Sequence, residues 1–230
     1  MKPAKPVPPS ITRIVETQLS GFASQDAGQL YTRISLQETR KTQNWYIRGS
    51  LSVTEARSGT YRSNVTTGKI DSRLERTTSP QSFMVVTGVL SSRGRNPAGK
   101  KYPKQSGYQF LSYGYGRTFG PKAKGDIGLG VLQILEDGSG FAPALMCAVR
   151  GRSPISKALS WESDVLVLQP VGNLADTKID SEIGLIHDLS PGLSLRLIWT
   201  LNNLVRSINS SREWDSGVRL SISYRHVTAK

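Results

Sequence analysis

The chain has 230 residues, of which 37% are hydrophobic and 20% charged, a balance that argues against a disordered chain and allows a sizeable folded domain. It contains no run of about 18 apolar residues, which excludes a standard transmembrane helix but leaves open a membrane barrel of alternating strands. Thirty Lys and Arg against 17 Asp and Glu give a formal net charge of +13, which predicts affinity for nucleic acid, lipopolysaccharide or another polyanion.

The first 28 residues differ from the rest of the chain. Residues 1–10 contain four prolines, which predicts a flexible or polyproline arm. Residues 11–28 carry apolar side chains at a spacing that predicts a short helix before Gly28, namely Ile11, Ile14, Val15 and Leu19. The opening MKPAKPVPPS lacks the apolar core of an export signal, so we interpret the chain as cytosolic or as a mature exported sequence with an added methionine.

From residue 29 onwards, segments of about ten residues alternate between apolar and polar positions. Side chains of a strand point to opposite faces with a period of two, so each segment predicts a strand with one oily and one polar face. In GLSLRLIWTL at 192–201 the oily face is Leu193, Leu195, Leu197, Trp199 and Leu201. The same alternation occurs in WYIRGSLSV at 45–53, YQFLSYGYGRTF at 108–119, DIGLGVLQIL at 126–135, TKIDSEIGLIHDL at 177–189 and SGVRLSISYRHV at 216–227.

The connections between these segments indicate how the strands pair. They are short turn sequences such as EDGSG and SPG, and parallel pairing needs crossovers of about a dozen residues or more. We therefore predict an all-β fold, an antiparallel up-and-down transmembrane β-barrel of about 10–12 strands, over residues 29–230. Strands of ten or more residues favour a membrane barrel over a soluble sandwich, whose strands are usually about five or six residues long.

The phase of the alternation assigns side chains to the two faces of this barrel. The polar phase is predicted to face the lumen, with Arg48, Asp180, Glu182, Arg196, Arg219 and Arg225 as candidates. The apolar phase is predicted to face lipid or to form interfacial aromatic girdles, with Tyr113, Tyr115, Leu195, Trp199, Leu220 and Tyr224 as candidates. Four lumenal arginines would favour anions in any open channel.

The second half of the chain resembles a known bacterial family. LSWESDVLVL is followed by a polar loop, then by GLIHDLSPGLSLRLIWTL, and the closing strand is VRLSISYRH. This succession resembles the salt-induced outer membrane proteins of the YdiY type, over residues 45–226. The resemblance implies a β-barrel in the bacterial outer membrane, and it implies no reaction and no catalytic residues. The chain departs from such barrels in that its last strand continues past Tyr224 to His226 and TAK.

Three other functions compete with this interpretation. A soluble basic β-sandwich that binds nucleic acid, such as a viral coat subunit, would explain the net charge and the proline-rich arm. An outer-membrane hydrolase would need a Ser–His pair, for which His187 and His226 are the only histidines. The sequence GRNPAGKK at 94–101 nearly spells a phosphate-binding loop, but Lys101 replaces the required Ser or Thr, so we predict an ordinary basic loop between residues 92 and 107.

The sequence thus predicts an outer-membrane barrel of structural or small-pore type that favours anions and has no evident catalytic activity. We expect no cofactor and no metal, because the lone Cys147 and two histidines make a poor ligand set. The expected partners are outer-membrane lipids and lipopolysaccharide, and no nucleic acid is expected.

Overall fold

A computed structural model describes residues 11–24, 30–57, 63–97, 106–120, 122–135, 140–172, 177–205 and 212–229. Within these ranges the regular secondary structure consists of twelve strands. They are β1 (Thr12–Ser24), β2 (Leu30–Lys41), β3 (Trp45–Arg57), β4 (Ser63–Ser79), β5 (Ser82–Pro97), β6 (Ser106–Phe119), β7 (Ala123–Ile134), β8 (Ala142–Pro154), β9 (Leu159–Pro170), β10 (Lys178–Ser190), β11 (Leu193–Val205) and β12 (Arg212–Ala229).

The twelve strands form one closed antiparallel sheet. Each strand pairs with its neighbours in sequence, and β1 pairs with β12 from Thr12↔Ala229 to Ser24↔Gly217, which closes the ring. Closure leaves no sheet edge with unpaired backbone groups. The predicted all-β antiparallel barrel of 10–12 strands is therefore confirmed, and the alternative of a soluble two-sheet sandwich is wrong because one sheet closes on itself.

The helix predicted within residues 11–28 is wrong, since Thr12–Ser24 of this segment form strand β1, and residues 25–28 lie outside the described residues. The barrel therefore begins at Thr12 and not at residue 29. Val15 and Leu19, four residues apart, fit a period of two as well as a helical spacing, and pairing with both β2 and β12 decides between the two structures. A local pattern of four apolar residues is a weak signal beside two complete backbone ladders. The proline-rich residues 1–10 lie outside the described residues.

The two ends of the barrel differ in the length of their connections. At one end, here called the turn end, strands are joined by residues 42–44, 80–81, 120–122, 155–158 and 191–192, and the first and last strand residues also lie there. At the other end, the loop end, the connections are five to eight residues long. The predicted loop at 92–107 is shorter than expected, because β5 continues to Pro97 and β6 begins at Ser106.

The burial pattern separates an outer from an inner surface. Large apolar side chains at alternate positions are exposed around the whole ring, among them Trp199 at 44% and Leu220 at 53%. The intervening positions are mostly buried inside the barrel. Within the described ranges, no helix is long and apolar enough to cross a membrane.

The barrel is flattened in cross-section. Twelve strands about 4.8 Å apart and tilted by about 40° would enclose a circle of about 24 Å diameter. Arg48 on β3 nevertheless lies 3.3 Å from Asp164 on β9, and Lys69 on β4 lies 2.9 Å from Asp180 on β10. Each pair joins strands that are six positions apart in the ring, and an Arg–Asp contact brings its Cα atoms within about 14 Å. The β3–β4 wall therefore lies close to the β9–β10 wall.

Small inward residues occupy the two edges of this flattened shape. On β6 and β7 they include Gly114 and Gly130, where an added Cβ would lie 2.2 Å from a backbone oxygen of the neighbouring strand. On β1 and β12, Ser221 donates a 2.8 Å hydrogen bond to Ser20. Such residues let adjacent backbones approach closely where the sheet turns most sharply.

Candidate functional site in the barrel lumen

The six predicted lumenal residues all point into the barrel. Arg48, Arg196, Arg219, Arg225, Asp180 and Glu182 all line an internal cavity of about 700 Å³. The cavity extends along β6 and β7 from Thr118 and Lys122 at the turn end to Gly107 and Ile134 at the loop end. Averaged over about 28 Å of barrel height, its cross-section is about 25 Å², enough for small ions and a few waters.

The predicted outward residues lie on the opposite surface. Tyr113, Tyr115, Trp199, Leu220 and Tyr224 are between 44% and 56% exposed. Leu195 shares their phase on β11 and is half-buried. Cys147 is also exposed on this surface.

Further aromatic side chains lie on the outer surface at the turn end. Trp45, Phe119 and Trp161 are exposed there, and Arg76 stacks over Trp45 with its guanidinium 5.6 Å from the ring centroid. Trp and Tyr concentrate where a bilayer meets water. Trp45 and Phe119 were not among the predicted girdle residues, although each shares the apolar phase of its strand.

An extensive set of ion pairs fills the turn half of the lumen. Arg73 donates two hydrogen bonds to Asp126, at 2.7 and 3.1 Å, and one of 2.5 Å to Glu75. The side chains of Arg73 and Asp126 are each only 1% exposed. Lys124 binds the other oxygen of Glu75 at 2.7 Å, and Arg150 lies 3.6 Å from Asp126. Each buried charge in this group therefore has a partner of opposite sign close to it, as buried ions require.

A second group joins opposite walls of the barrel. Arg48 contacts Asp71 on the adjacent strand at 3.4 Å and Asp164 across the lumen at 3.3 Å. Arg150 reaches the same Asp164 at 3.0 Å. Ser50 donates a short hydrogen bond to Asp71. These contacts connect β3 and β4 to β8 and β9 across the lumen.

A third group lies beside the closure of the ring at the turn end. Glu16 on β1 accepts hydrogen bonds from Arg196 at 2.6 Å and from Arg225 at 3.1 Å. Arg196 also donates a 2.7 Å bond to Glu162. Arg152 lines the cavity opposite Glu162 in the β8–β9 register. The pairs link β9, β11, β12 and β1 across the seam.

At the loop end, two carboxylates of β10 gather cations from across the lumen. Asp180 accepts hydrogen bonds from Lys69 at 2.9 Å and from the Tyr108 hydroxyl at 2.7 Å. Glu182 accepts two bonds from Arg219, at 2.8 and 3.2 Å, and one from Arg33 at 3.2 Å. The predicted pair Asp180 and Glu182 therefore organises one half of the site.

An apolar cluster fills the other side of the lumen near the loop end. It lies on β5 to β9, and its members are at most 7% exposed. The cluster consists of Val89, Tyr108, Phe110, Leu132, Ala144, Met146, Ala148, Leu166 and Leu168. Sequence analysis did not predict it. On these strands both phases are rich in apolar residues, so alternation alone could not show that apolar side chains also point inward.

The cavity carries an excess of positive charge. Among the described residues that line it, twelve are Lys or Arg and seven are Asp or Glu. Several buried guanidinium nitrogens within the described structure have no hydrogen-bond partner, namely Nε of Arg33, Arg48, Arg196 and Arg219. Charged donors that lack a protein acceptor can donate hydrogen bonds to water or to a bound anion.

Sequence analysis missed much of this lumenal set. Glu16 was missed because its segment was interpreted as a helix. Lys69 and Arg73 lie on β4, whose alternation is weak, and Asp126 and Asp164 lie on strands whose polar phase is short. The signal that could have found them is the isolated charge inside an apolar run, which inside a barrel wall must point to the lumen.

The remaining candidates for chemistry do not come together. His187 and His226 are both exposed on the outer surface, and His226 contacts the hydroxyl of Thr228 at 3.2 Å. In the part of the chain that the structure describes, no group of three or more potential metal ligands is found. Lys100 and Lys101 of the near phosphate-loop sequence lie outside the described residues.

Comparison with known proteins shows which fold this is. No family model and no curated protein sequence matches the chain. Among solved structures, the NanC porin has a TM-score of 0.56 at 7% identity, covering 90% of this chain and 98% of that one. The KdgM porin has a TM-score of 0.51 at 8% identity, over 91% of this chain and 98% of that one.

A third neighbour belongs to another functional class. It is the translocator domain of the autotransporter NalP from Neisseria meningitidis, with a TM-score of 0.50 at 11% identity, over 94% of this chain and 88% of that one. This chain has the fold of an outer-membrane β-barrel. Because that fold serves both porins and autotransporters, the function has to be argued from the lumen itself.

Proposed function

We propose that this protein is a bacterial outer-membrane barrel with a narrow passage that favours small anions. The observation that carries the proposal is the continuous lumenal cavity, lined by twelve basic and seven acidic described residues. An excess of fixed positive charge in a confined space raises the local concentration of anions and lowers that of cations.

The exposed apolar surface supports the membrane location. Leu129, Ile127 and Phe119 are each more than 60% exposed, and a surface of this kind around a whole barrel would not stay dispersed in water. Short connections at one end and longer ones at the other match barrels whose short turns face the periplasm. We infer that the turn end faces the periplasm and the loop end the outside.

The lipid partners follow from the same placement. Acyl chains would cover the outer apolar surface, and lipopolysaccharide phosphates would meet cationic side chains near the loop end. The basic pair Lys100 and Lys101, on which this part of the proposal depends, lies outside the described residues. Binding of the purified protein to lipopolysaccharide, measured against a K100Q/K101Q variant, would test it.

The proposal is tested by the reversal potential across a planar bilayer that separates two KCl concentrations. We expect chloride to be more permeable than potassium. Arg48→Gln should lower this preference and raise the conductance, because it removes one lumenal cation and one bond across the passage. Arg13→Gln removes the same charge from the outer surface, where Arg13 is exposed, and should change neither value.

Heat-modifiable gel mobility would show that both variants still form barrels. A cation preference in the native protein, or equal effects of the two substitutions, would contradict the proposed selectivity.

A closed barrel of purely structural role is the second candidate. It is favoured by the ion pairs that join β3 to β9 and β4 to β10 across the lumen. Absence of any conductance from a correctly folded protein, at all voltages and salt concentrations tried, would select this function over the passage. No described residue cluster supports a hydrolase.

Membership of the salt-induced family remains part of the proposal. The sequence GLIHDLSPGLSLRLIWTL that carries the resemblance is the β10–β11 hairpin, and VRLSISYRH lies in β12. A rise in transcript level after an increase of external salt would support this assignment, and an unchanged level would contradict it.

A further inference from the structure

The loop half of the lumen has two walls of opposite chemistry. One wall is the apolar cluster, of which Val89, Leu132 and Leu166 line the cavity. The facing wall carries Arg33 and Lys69, with Arg219 beside them. The lumen of a water-filled porin is usually polar all round, so an apolar wall inside it calls for an explanation.

The two walls meet at Tyr108, whose ring is buried in the apolar cluster. Its hydroxyl donates to Asp180 at 2.7 Å, and Lys69 reaches the same carboxylate oxygen at 2.9 Å. The Lys178 ammonium lies 5.4 Å from the centre of the Tyr108 ring. The single side chain of Tyr108 therefore links the apolar cluster to the charged residues around Asp180. We call this region, bounded by the apolar wall and the cationic wall, the loop-end chamber.

The cations that line the loop-end chamber outnumber the carboxylates beside them. Among the described residues, Arg33, Lys69, Lys178 and Arg219 stand against Asp71, Asp180 and Glu182, an excess of one positive charge. The Nε atoms of Arg33 and Arg219 are buried without a hydrogen-bond partner, and the Arg219 side chain is only 3% exposed. Positive charge in a confined, low-dielectric space is stabilised by an anion that fits there.

We propose that the loop-end chamber binds an amphipathic anion, with its acidic head on Lys69, Arg33 and Arg219 and its apolar chain along Val89, Leu132 and Leu166. A carboxylate head suits the guanidinium and ammonium donors. The apolar side chains that line the chamber lie on β5, β7 and β9, strands that follow one another at about 10 Å across the sheet, a distance that a chain of about eight carbons spans. This inference rests on the proposed passage, of which it names the substrate class.

The experiment uses the full protein in planar bilayers of zwitterionic lipid. Chloride current is measured while octanoate is added, with acetate and octyltrimethylammonium as comparisons. We expect octanoate to halve the current at a concentration at least about tenfold below that of acetate. Octyltrimethylammonium, which has the same chain and the opposite charge, should leave the current unchanged.

Two variants separate the contributions of head and chain. Lys69→Met removes a cation and Leu166→Asn places a polar group in the apolar wall, and each should raise the half-inhibiting concentration of octanoate about tenfold. Arg152→Gln removes a cation from the turn end of the same cavity and should leave the octanoate concentration unchanged. Heat-modifiable mobility checks that each variant folds.

Calorimetric titration of octanoate into the protein in nanodiscs, with protein-free nanodiscs as the blank, measures binding without conduction. If the protein conducts chloride but acetate and octanoate act alike, the amphipathic site is wrong and the passage stands. If it does not conduct but binds octanoate, with Lys69→Met weakening the binding, the passage is wrong and the site stands. Equal binding to native protein, Lys69→Met and Leu166→Asn would overturn the site.

Discussion

The lumen contains two regions that are filled in different ways. In the turn half, and along β10 at the loop end, charged side chains from opposite walls pair with one another, as Arg48 does with Asp164 at 3.3 Å. On β5 to β9 near the loop end, apolar side chains such as Leu168 pack together, and Leu168 is fully buried. The stability of the first region depends on the balance of its charges, and the stability of the second depends on how completely its side chains fill the space.

The difference explains where the barrel can leave space. A buried ion pair recovers the free energy of its lost hydration only when the geometry of the pair is good. Because not every donor in the charged region meets an acceptor in this way, the region retains hydrogen-bonding groups for water or anions. Apolar side chains fill space without any such requirement. The cavity therefore follows the charged region and touches the apolar one along a single wall.

Breaking one buried ion pair should have the largest effect on stability. Asp126→Ala removes both hydrogen-bond acceptors of the buried Arg73 guanidinium that lie on β7. We expect the free energy of unfolding to fall by about 3–5 kcal/mol, because the buried Arg73 guanidinium keeps only Glu75 of its two carboxylate partners and a buried positive charge is left in excess. Urea unfolding in lipid vesicles, followed by tryptophan fluorescence, measures this.

The matched control for that prediction replaces both partners. The double variant R73M/D126L should recover most of the loss, since no unpaired charge remains. A loss below about 1 kcal/mol in the single variant would show that water reaches Arg73 and that the charged region is not dry.

Truncation in the apolar region should cost somewhat less. Leu168→Ala leaves a cavity in the cluster, and we expect a loss of about 2–4 kcal/mol. Leu145→Ala on β8 is the control, because Leu145 points outward and is 48% exposed. Its loss in the same urea titration should be smaller, and equal losses would contradict tight packing on the inside.

The sharp edge of the flattened barrel predicts an intermediate effect. In Gly130→Ala the new Cβ would meet the Leu111 oxygen at 2.2 Å, so β6 and β7 must separate, with an expected loss of about 1–3 kcal/mol. Gly49→Ala has no atom within 4 Å of the new Cβ and should be neutral or slightly stabilising. The thermal unfolding midpoints of both variants in detergent measure this difference. Equal midpoints would contradict the close approach of β6 and β7 that the flattened barrel requires.

An exposed ion pair should matter least. Arg13 binds Glu38 at 2.8 Å on the outer surface, with side-chain exposures of 53% and 36%. Arg13→Gln should leave the free energy of unfolding unchanged within the error of the same urea titration, since water and salt screen the pair. A loss comparable to that of Asp126→Ala would remove the distinction between lumenal and surface charges.

The sequence by itself determined the class of fold and the orientation of the clearest strands. Alternation in GLSLRLIWTL and SGVRLSISYRHV placed Arg196 and Arg219 inside and Trp199 and Leu220 outside, because side-chain direction in a strand is fixed by a period of two. The six predicted lumenal residues line the cavity for this reason. The short turns between the segments likewise showed, from local sequence alone, that neighbouring strands run antiparallel.

Only the tertiary structure decided which lumenal residues meet. Arg48 and Asp164 are 116 residues apart in sequence, and no local pattern records that β3 faces β9 across a flattened ring. Closure also converted the helix-like segment at Ile14 to Leu19 into β1, because pairing on both sides outweighs local spacing. The apolar wall was likewise beyond prediction, since strands that are apolar on both faces carry no phase from which an inside can be inferred.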